Sequence, residues 1–555
     1  MPDTIECRNA IVSEAYEDEI LGFYGKTERL PEDGCYQPVN DAFAVVYRPR
    51  AGEIKRNTRE ISLSRPYLFG LLQEDNLEAV GVDNVRRIPG FDYRGNGILL
   101  GFVDTGIAYR HPAFLTAAGE SRVKVIWDQA DQSGTPPADF NFGTVFTEDE
   151  IAAGTAPGDE NGHGTFMAGV AAGKEDVSGG FFGVAPLADI LVVKLKEAKT
   201  YLKDYYCMPQ ETVAFSEADI MLGVEFLLRE AEKRAKPLVL CIGCGCSLGS
   251  HSGTIPLSLY LSSLALRPDV CLIAAIGNEG NARHHARELL GTSMQETELY
   301  VGERSSGFTM ELYADATADF ELRLISPTGE VSTELLEGAS GTEELLFLFD
   351  RTTVYLEREQ LIRMEAKRRL QFRFREPAPG IWRLRFSQSF VGTEVDMWLP
   401  IKEFLDAEVY FVRPDPDVTL CEPANSPALF AVGGYSTETG GLAPFSGRGF
   451  TSVEQRQPTL LAPSVNVTGP FAEGGYIEKS GTSIGAAYAA GCVALFMEYV
   501  EEYRARGMAI PLDTVLIRNL FVLGARREDS VEYPNPAYGY GLLNLYGVFE
   551  FLRNL

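Results

Sequence analysis

Three short polar stretches, each set among glycines, constrain this chain more than anything else in it. Gly101-Phe-Val-Asp-Thr-Gly106 closes the apolar run Ile98 to Val103 on a carboxylate and turns at once on glycine, so a buried strand delivers Asp104 to a sheet edge. Asn161-Gly-His-Gly-Thr-Phe-Met-Ala-Gly169 presents His163, and Ser480-Gly-Thr-Ser-Ile-Gly485 presents Ser483. Glycine lets other backbone come close to each of these side chains. An acid, an imidazole and a hydroxyl are the three parts of a relay in which the imidazole, held by the acid, takes the hydroxyl proton and frees the oxygen to attack.

Around these stretches the pattern is α/β. Apolar runs 98–103, Val123–Trp127, Ile190–Leu195, Leu238–Ile242, Val270–Ile276 and Ala428–Gly434 read as buried strands, and helical patterns run from His163 to Ala172, Ser216 to Arg234 and Ser483 to Tyr499. Strands alternating with helices imply a parallel sheet covered on both faces. Gln129 to Asp159 is polar with glycine and proline, hence mostly surface loop with a short helix near Glu148. From about 290 to 415 the period changes to two, in Phe308–Tyr313, Phe320–Ile325, Leu370–Phe374 and Ile381–Phe386, with Val409–Val412 closing the region. This is the signature of an antiparallel β-sandwich lying between two α/β blocks, and so an inserted domain. Residues 1–72 form a small separate α+β unit with a strand at Phe43–Tyr47, a basic, turn-rich stretch from Arg48 to Arg59, and an extended stretch at Pro66–Leu72. The organisation is then 1–72, a first α/β block 73–288, the insertion 289–417 and a second α/β block 418–555.

Gly481-x-Ser483-x-Gly485 by itself also fits the nucleophile elbow of α/β-hydrolases, in which the histidine follows the serine. The five histidines are His111, His163, His251, His284 and His285, and none follows Ser483. The order Asp104, His163, Ser483 is that of the subtilisin-like serine proteases, and all three stretches resemble the signatures of that family. The resemblance implies Ser483 as nucleophile, His163 as general base and then acid, and Asp104 as the orienting carboxylate. It also implies that Asn278, in Ala274-Ala-Ile-Gly-Asn-Glu-Gly280, donates its amide to the developing oxyanion together with the Ser483 N–H, and that His111 holds a structural position. Gly243, Cys244 and Gly245 match the glycine-rich strand on which a peptide lies as an added β-strand, and Gly277 falls in the segment that shapes the P1 pocket. Two departures stand out. The family's proline shortly after the serine is absent, Ala487 and Tyr488 following Ala486, and the long separation of Asn278 from Ser483 is filled by the insertion.

With a pro-region before the core and a sandwich before the serine, the whole chain resembles the Csp germination proteases of clostridia. That resemblance implies a jelly-roll insertion, self-cleavage between about residues 65 and 80, a pro-region that stays bound non-covalently, and a partner pro-enzyme such as a spore cortex hydrolase. Some relatives of that group have lost triad residues and act as pseudoproteases in signalling, which is the alternative reading of a subtilase core; this chain keeps all three.

Composition sets the remaining bounds. A hydrophobic content of 45% with 11% aromatic residues is that of a folded globular chain, and a net charge of −28 repels phosphate backbones, which argues against nucleic acid as a partner. The nine cysteines are odd in number, and several lie in apolar runs. Reduced thiols and a non-secreted life are therefore expected, and Cys241-Ile-Gly-Cys244-Gly-Cys246 reads as small apolar residues on a buried strand rather than a metal site. No segment is long and apolar enough to span a membrane. Met1 to Ile20 is acidic without an apolar h-region, so no secretory signal is expected and the setting is cytoplasmic or spore-associated. No cofactor or metal is implied: there is no Asp-x-Asp-x-Asp-Gly loop, and Asp128, Asp131 and Asp139 form a loose acidic loop.

Overall fold

Fully apolar strands need cover on both faces, and the central sheet of this protein obtains it. The computed structural model describes residues 5–25, 30, 35–49, 63–69, 78–176, 181–336, 341–361, 366–387 and 392–554. Eight strands lie in the order Leu460–Pro463, Phe430–Tyr435, Val270–Ala275, Leu238–Ile242, Leu99–Asp104, Asp189–Lys194, Val123–Asp128 and Thr144–Phe146. All neighbours pair in parallel except the last, which returns antiparallel at the edge. Alternate residues face opposite layers. Leu100 and Phe102 pack with the helices His163–Ala172 and Thr482–Ala505, whereas Leu99 and Val103 pack with the helices Glu217–Arg234 and Pro256–Leu264. The short helix expected near Glu148 spans Glu148–Ala153. Ser216 occupies the N-cap position of Glu217–Arg234, but its hydroxyl makes no capping bond.

Helix Thr482–Ala505 corrects one expectation. By length and a mean hydropathy of 1.4 it is apolar enough to cross a bilayer, the one such helix among the described residues. Its apolar window is 89% buried against the sheet, so its composition is that of a core helix.

The period-two region is a two-layer antiparallel sandwich. One sheet runs His285–Leu290, Thr393–Trp398, Gly307–Asp315, Lys367–Arg375, Thr352–Leu361 and Gly341–Phe347 in spatial order. The other runs Glu321–Ile325, Gly380–Ser387, Gln295–Val301 and Val409–Phe411. Met310, Phe372, Trp382 and Leu384 lie in the core between them. The sandwich is fixed to the α/β core through stacked rings: the Trp398 ring lies 4.2 Å from that of His251 and 4.9 Å from that of His285, nearly parallel to both.

The N-terminal residues form the helix Ile5–Val12 and a four-stranded antiparallel sheet in the order Cys35–Pro38, Phe43–Pro49, Tyr16–Gly22 and Leu63–Ser64. Residues 50–59 of the basic stretch lie outside the described residues. Here the cysteine expectation is corrected: Cys7 on the helix and Cys35 on the edge strand form a disulfide. The odd count and apolar settings that suggested reduced thiols do hold for the other seven cysteines, all free and buried. They could not reveal a pair brought together by folding of the N-terminal unit. Ala10, Ile20, Phe43 and Val45 share one continuous core with the Glu217–Arg234 layer, so this unit is packed onto the sheet rather than tethered beside it. At that junction Lys199 Nζ lies 2.6 Å from Asp18 Oδ1 and donates to the Ala10 carbonyl at 3.1 Å, both side chains being buried.

Removing one member of a buried ion pair strands the other. Lys199→Met is therefore expected to lower stability by about 3–5 kcal/mol in urea unfolding, and Lys199→Met with Asp18→Leu to recover part of that loss. A single-variant loss below about 1 kcal/mol would mean that the pair is effectively solvated.

Candidate active site

Strand Leu99–Asp104 ends with Asp104 at the carboxyl edge of the sheet, and Thr105 folds back so that its N–H donates to Asp104 Oδ1 at 2.8 Å. Helix His163–Ala172 begins beside it, and its first residue is His163. The start of that helix is held by Asp159. Oδ1 accepts from the Asn161 and Gly162 amides at 3.2 and 2.8 Å, while Oδ2 accepts from the Thr165 amide and hydroxyl at 2.9 and 2.6 Å. Sequence reading missed Asp159, which lay at the end of an apparent surface loop; an aspartate shortly before a helix start is the signal that could have found it. Gly164 is required by close approach, since a Cβ there would lie 2.3 Å from the Gly106 carbonyl oxygen.

The three predicted residues come together. His163 Nδ1 lies 2.7 and 2.9 Å from the two Asp104 oxygens, and His163 Nε2 lies 3.2 Å from Ser483 Oγ. With Nδ1–H donated to the carboxylate, Nε2 is left to accept the serine proton. All three side chains are buried. Ser483 is the second residue of helix Thr482–Ala505, so its N–H is one of the leading amides that no earlier turn can satisfy. The missing proline does not break this helix, which runs through Ala487 and Tyr488 without interruption.

Asn278 is fixed beside Ser483 by a residue that sequence reading did not single out. Its Oδ1 accepts from the Thr482 amide at 3.0 Å and from the Thr482 hydroxyl at 3.2 Å. Thr482 Oγ1 in turn accepts from the Gly277 amide at 3.0 Å. With the oxygen so occupied, the Asn278 amide nitrogen is the end left to donate. Gly243 runs along the imidazole: a Cβ there would lie 3.0 Å from His163 Cε1. Cys244 and Cys246 are buried, and burial pushes their thiols well up, with the Asp104 charge adding to the effect at Cys244. They are therefore inert small packing residues.

The other histidines are structural. His111 Nδ1 accepts from the Ala113 amide at 3.1 Å and Nε2 lies 2.9 Å from the Gly475 carbonyl, which ties the loop after Asp104 to the hairpin before Ser483. His284 and His285 are both buried, His284 against Glu279 at 2.7 Å and His285 against Trp398. In the acidic loop, Asp128 accepts from the Ala130 and Asp131 amides and Asp139 pairs with Arg229 at 3.2 Å.

The model of the subtilase family matches residues 95–288 and 414–541, more than half of the chain, including all three residues and skipping the sandwich. The chain belongs to the subtilase family. Its structure is similar to that of the Clostridium perfringens CspB protease, with a TM-score of 0.73 at 26% identity, covering 86% of this chain and 96% of that one. The major intracellular serine protease of Bacillus subtilis (strain 168) is 28% identical over 193 residues, 35% of this chain and 53% of that protein. A subtilisin of Bacillus sp. (strain TA39) is 26% identical over 188 residues, 34% of this chain and 35% of that protein. The chain thus spans about half the length, or less, of these curated relatives.

In this subtilase a short strand pairs with an edge the sequence did not reveal. Leu68 and Phe69 pair antiparallel with Ser216 and Phe215. The Glu217 amide donates to the Tyr67 carbonyl at 2.8 Å, and the Tyr67 amide donates to Glu217 Oε2 at 3.1 Å. Cys246, just beyond Gly243, Cys244 and Gly245, shares an apolar cluster with Leu68.

Glu217 is fully buried, and burial pushes its carboxyl up to about 8, against the lowering effect of the Leu257 and Tyr67 amides. A carboxyl whose folded value lies above its unfolded value of about 4.3 favours folding fully at low pH and loses that contribution as pH rises towards the folded value. Stability of the full chain is therefore expected to fall by a few kcal/mol between about pH 5 and 8 through this group. Glu217→Gln should flatten that slope in chemical denaturation; an unchanged slope would show that Glu217 is ionised throughout.

Proposed function

We propose that this subtilase is a serine endopeptidase acting through Asp104, His163 and Ser483. The observation that carries the reading is the unbroken hydrogen-bonded line from Asp104 through His163 to Ser483 Oγ, with the Asn278 amide fixed beside it. Ser483 Oγ bonds to the scissile carbonyl carbon while its proton passes to His163 Nε2, and Asp104 stabilises the imidazolium that forms. The carbonyl oxygen, now an anion, takes hydrogen bonds from the Asn278 amide and the Ser483 N–H. His163 returns the proton to the leaving amine, the C–N bond breaks, and water releases the acyl group by the same steps in reverse.

The substrate is protein or peptide laid as an added strand along the cleft, the mode already adopted by residues 67–69. That pairing supports a self-cleaving pro-region that stays bound and keeps the enzyme latent. Of the expected window 65–80, residues 70–77 lie outside the described residues; because Leu68 and Phe69 are already strand-paired, we assign the cut to the residues after Phe69. The resemblance to Csp proteases, supported by the likeness to CspB, suggests activation of a partner pro-enzyme such as a spore cortex hydrolase, in a spore-associated or cytoplasmic setting.

Intact mass separates this reading from a pseudoprotease scaffold. Wild-type protein is expected to show cleavage between residues 69 and 80 and a fluorophosphonate adduct on Ser483, and Ser483→Ala neither. Full-length, unlabelled wild-type protein after long incubation would overturn the proposal.

The two residues beside the oxyanion separate by kinetics. Asn278→Ala is expected to lower the cleavage rate about 10²–10³-fold. Thr482→Val keeps the Asn278 amide but loosens its anchor and should cost roughly 10-fold. Equal losses would mean that Thr482 itself donates to the transition state.

A further inference from the structure

The segment that enters the cleft is gripped from two sides, and one side belongs to the inserted sandwich. Leu68, 3% exposed, shares a residual cavity of only about 10 Å³ with Met208, Cys246 and Leu248 of the core and Thr309, Pro400 and Phe404 of the sandwich. That space is about the minimum for one water, so the leucine side chain fills its pocket. The residues before it are held by both bodies as well. Tyr67 stacks on Tyr206 of the core at 6.4 Å, and its hydroxyl accepts from Arg369 of the sandwich at 3.4 Å. Arg369 is itself held by Glu311 at 3.0 Å. The Arg65 guanidinium lies 3.6 Å over the ring of Tyr205, and Arg373 of the sandwich lies 4.2 Å from the same ring. A short run of chain links the pocket to the catalytic centre: Gly243 abuts His163, and Cys246, three residues on, lines the space around Leu68.

We propose that the inserted sandwich is a wall of the substrate cleft and a determinant of specificity. Through Phe404, Pro400 and Thr309 it selects peptides carrying a leucine-sized aliphatic side chain at the position Leu68 now fills, with an aromatic residue immediately before it. The inference rests on the peptidase reading above and adds to it the class of sequence that the cleft accepts. An apolar pocket of fixed volume discriminates by size and rejects charge strongly, because a carboxylate in such a pocket has no partner.

The test uses self-cleavage of the full chain, read by intact mass over time, with fluorophosphonate labelling of Ser483 measured alongside. Leu68→Asp is expected to slow cleavage at least about 100-fold, and Leu68→Phe about 10-fold or more, because the added ring has no space. In a Phe404→Ala background the pocket is enlarged, and the Leu68→Phe chain should then cleave faster than the chain with the native leucine, inverting the wild-type preference. Phe404→Val is run in parallel as a milder enlargement should Phe404→Ala fold poorly, with the same inversion of rank expected. Wild-type cleavage and labelling, combined with native leucine still outranking the Leu68→Phe substitution in both enlarged backgrounds, would overturn this inference and leave the peptidase reading intact. Absence of both cleavage and labelling in the wild type would overturn the peptidase reading, and this inference with it.

Discussion

A helix that begins beside Ser483 and passes straight into the core is the constraint on which this structure depends. From Thr482 to Met497 every residue is buried, so the helix accommodates bulk only where a neighbour recedes. A Cβ on Gly485 would lie 2.8 Å from the Gly433 carbonyl oxygen, and one on Gly491 would lie 2.4 Å from Val184 Cβ. Close packing of this kind transmits position: the sheet fixes the helix, and the helix fixes Ser483 to within hydrogen-bonding reach of His163. The same crowding explains why the family's proline can be absent. An intact backbone ladder pinned on all sides needs no ring to set its direction, and Ala487 and Tyr488 are both fully buried there.

The meeting of Asp104, His163 and Ser483 was legible in the sequence because each of these residues ends or begins a regular element, and the glycines that permit close approach are adjacent in the chain. Strand ends and helix starts are local facts, and Asp104, His163 and Ser483 are local to them. What was hidden depends on pairing across the fold. Thr482 looked like filler between Gly481 and Ser483, and its hold on Asn278 exists only when residues some two hundred positions apart meet. Phe215–Ser216 gave no strand signal, because two residues carry no period, and the edge is defined by the segment that docks on it. The sandwich was visible through Phe308–Tyr313 or Ile381–Phe386, where buried and partly exposed residues or large apolar ones recur at every second position. Gly341–Phe347 escaped, its outer residues being a run of Thr, Glu and Leu on an edge strand with few buried positions. The Cys7–Cys35 pairing escaped for the same reason as Thr482: nothing in the intervening residues announces that a helix and an edge strand will meet.

The site of the insertion follows from the sheet. The chain leaves strand Val270–Ala275 through Gly277 and Asn278, enters the sandwich at His285, and returns from Val409–Phe411 to strand Phe430–Tyr435, the immediate neighbour of the strand it left. The exit therefore lies at the carboxyl edge of the sheet, and the returning chain passes the same edge, where the Cys421 amide donates to the Ile276 carbonyl at 2.8 Å, before it crosses to the amino end of Phe430–Tyr435; a domain inserted there lies on the side of the sheet where Asp104, His163 and Ser483 meet. The ring stack of His251, Trp398 and His285 then removes the freedom that two connections would otherwise leave. Burial holds His251 down to about 3, so it remains a neutral, stackable ring across the ordinary pH range. A sandwich held in this way presents a fixed surface, and a fixed surface beside a cleft discriminates between occupants by shape, which a tethered one cannot do.

Three bodies consequently meet at one short stretch of chain. Leu63 and Ser64 still belong to the N-terminal sheet, Tyr67 to Phe69 lie along the core, and Arg369 and Phe404 of the sandwich close over them. Each contact is modest, but they act on consecutive residues of a single strand, so the strand is released only when all of them yield together. The N-terminal unit adds its own apolar packing and the Asp18–Lys199 pair to the same element. Departure of that unit after the proposed cleavage would expose apolar surface on the Glu217–Arg234 layer and leave Lys199 without its carboxylate. On the proposed self-cleavage, cutting the chain would remove none of these interactions, so release would be a separate event, governed by whatever competes for the surfaces that residues 65–69 now occupy.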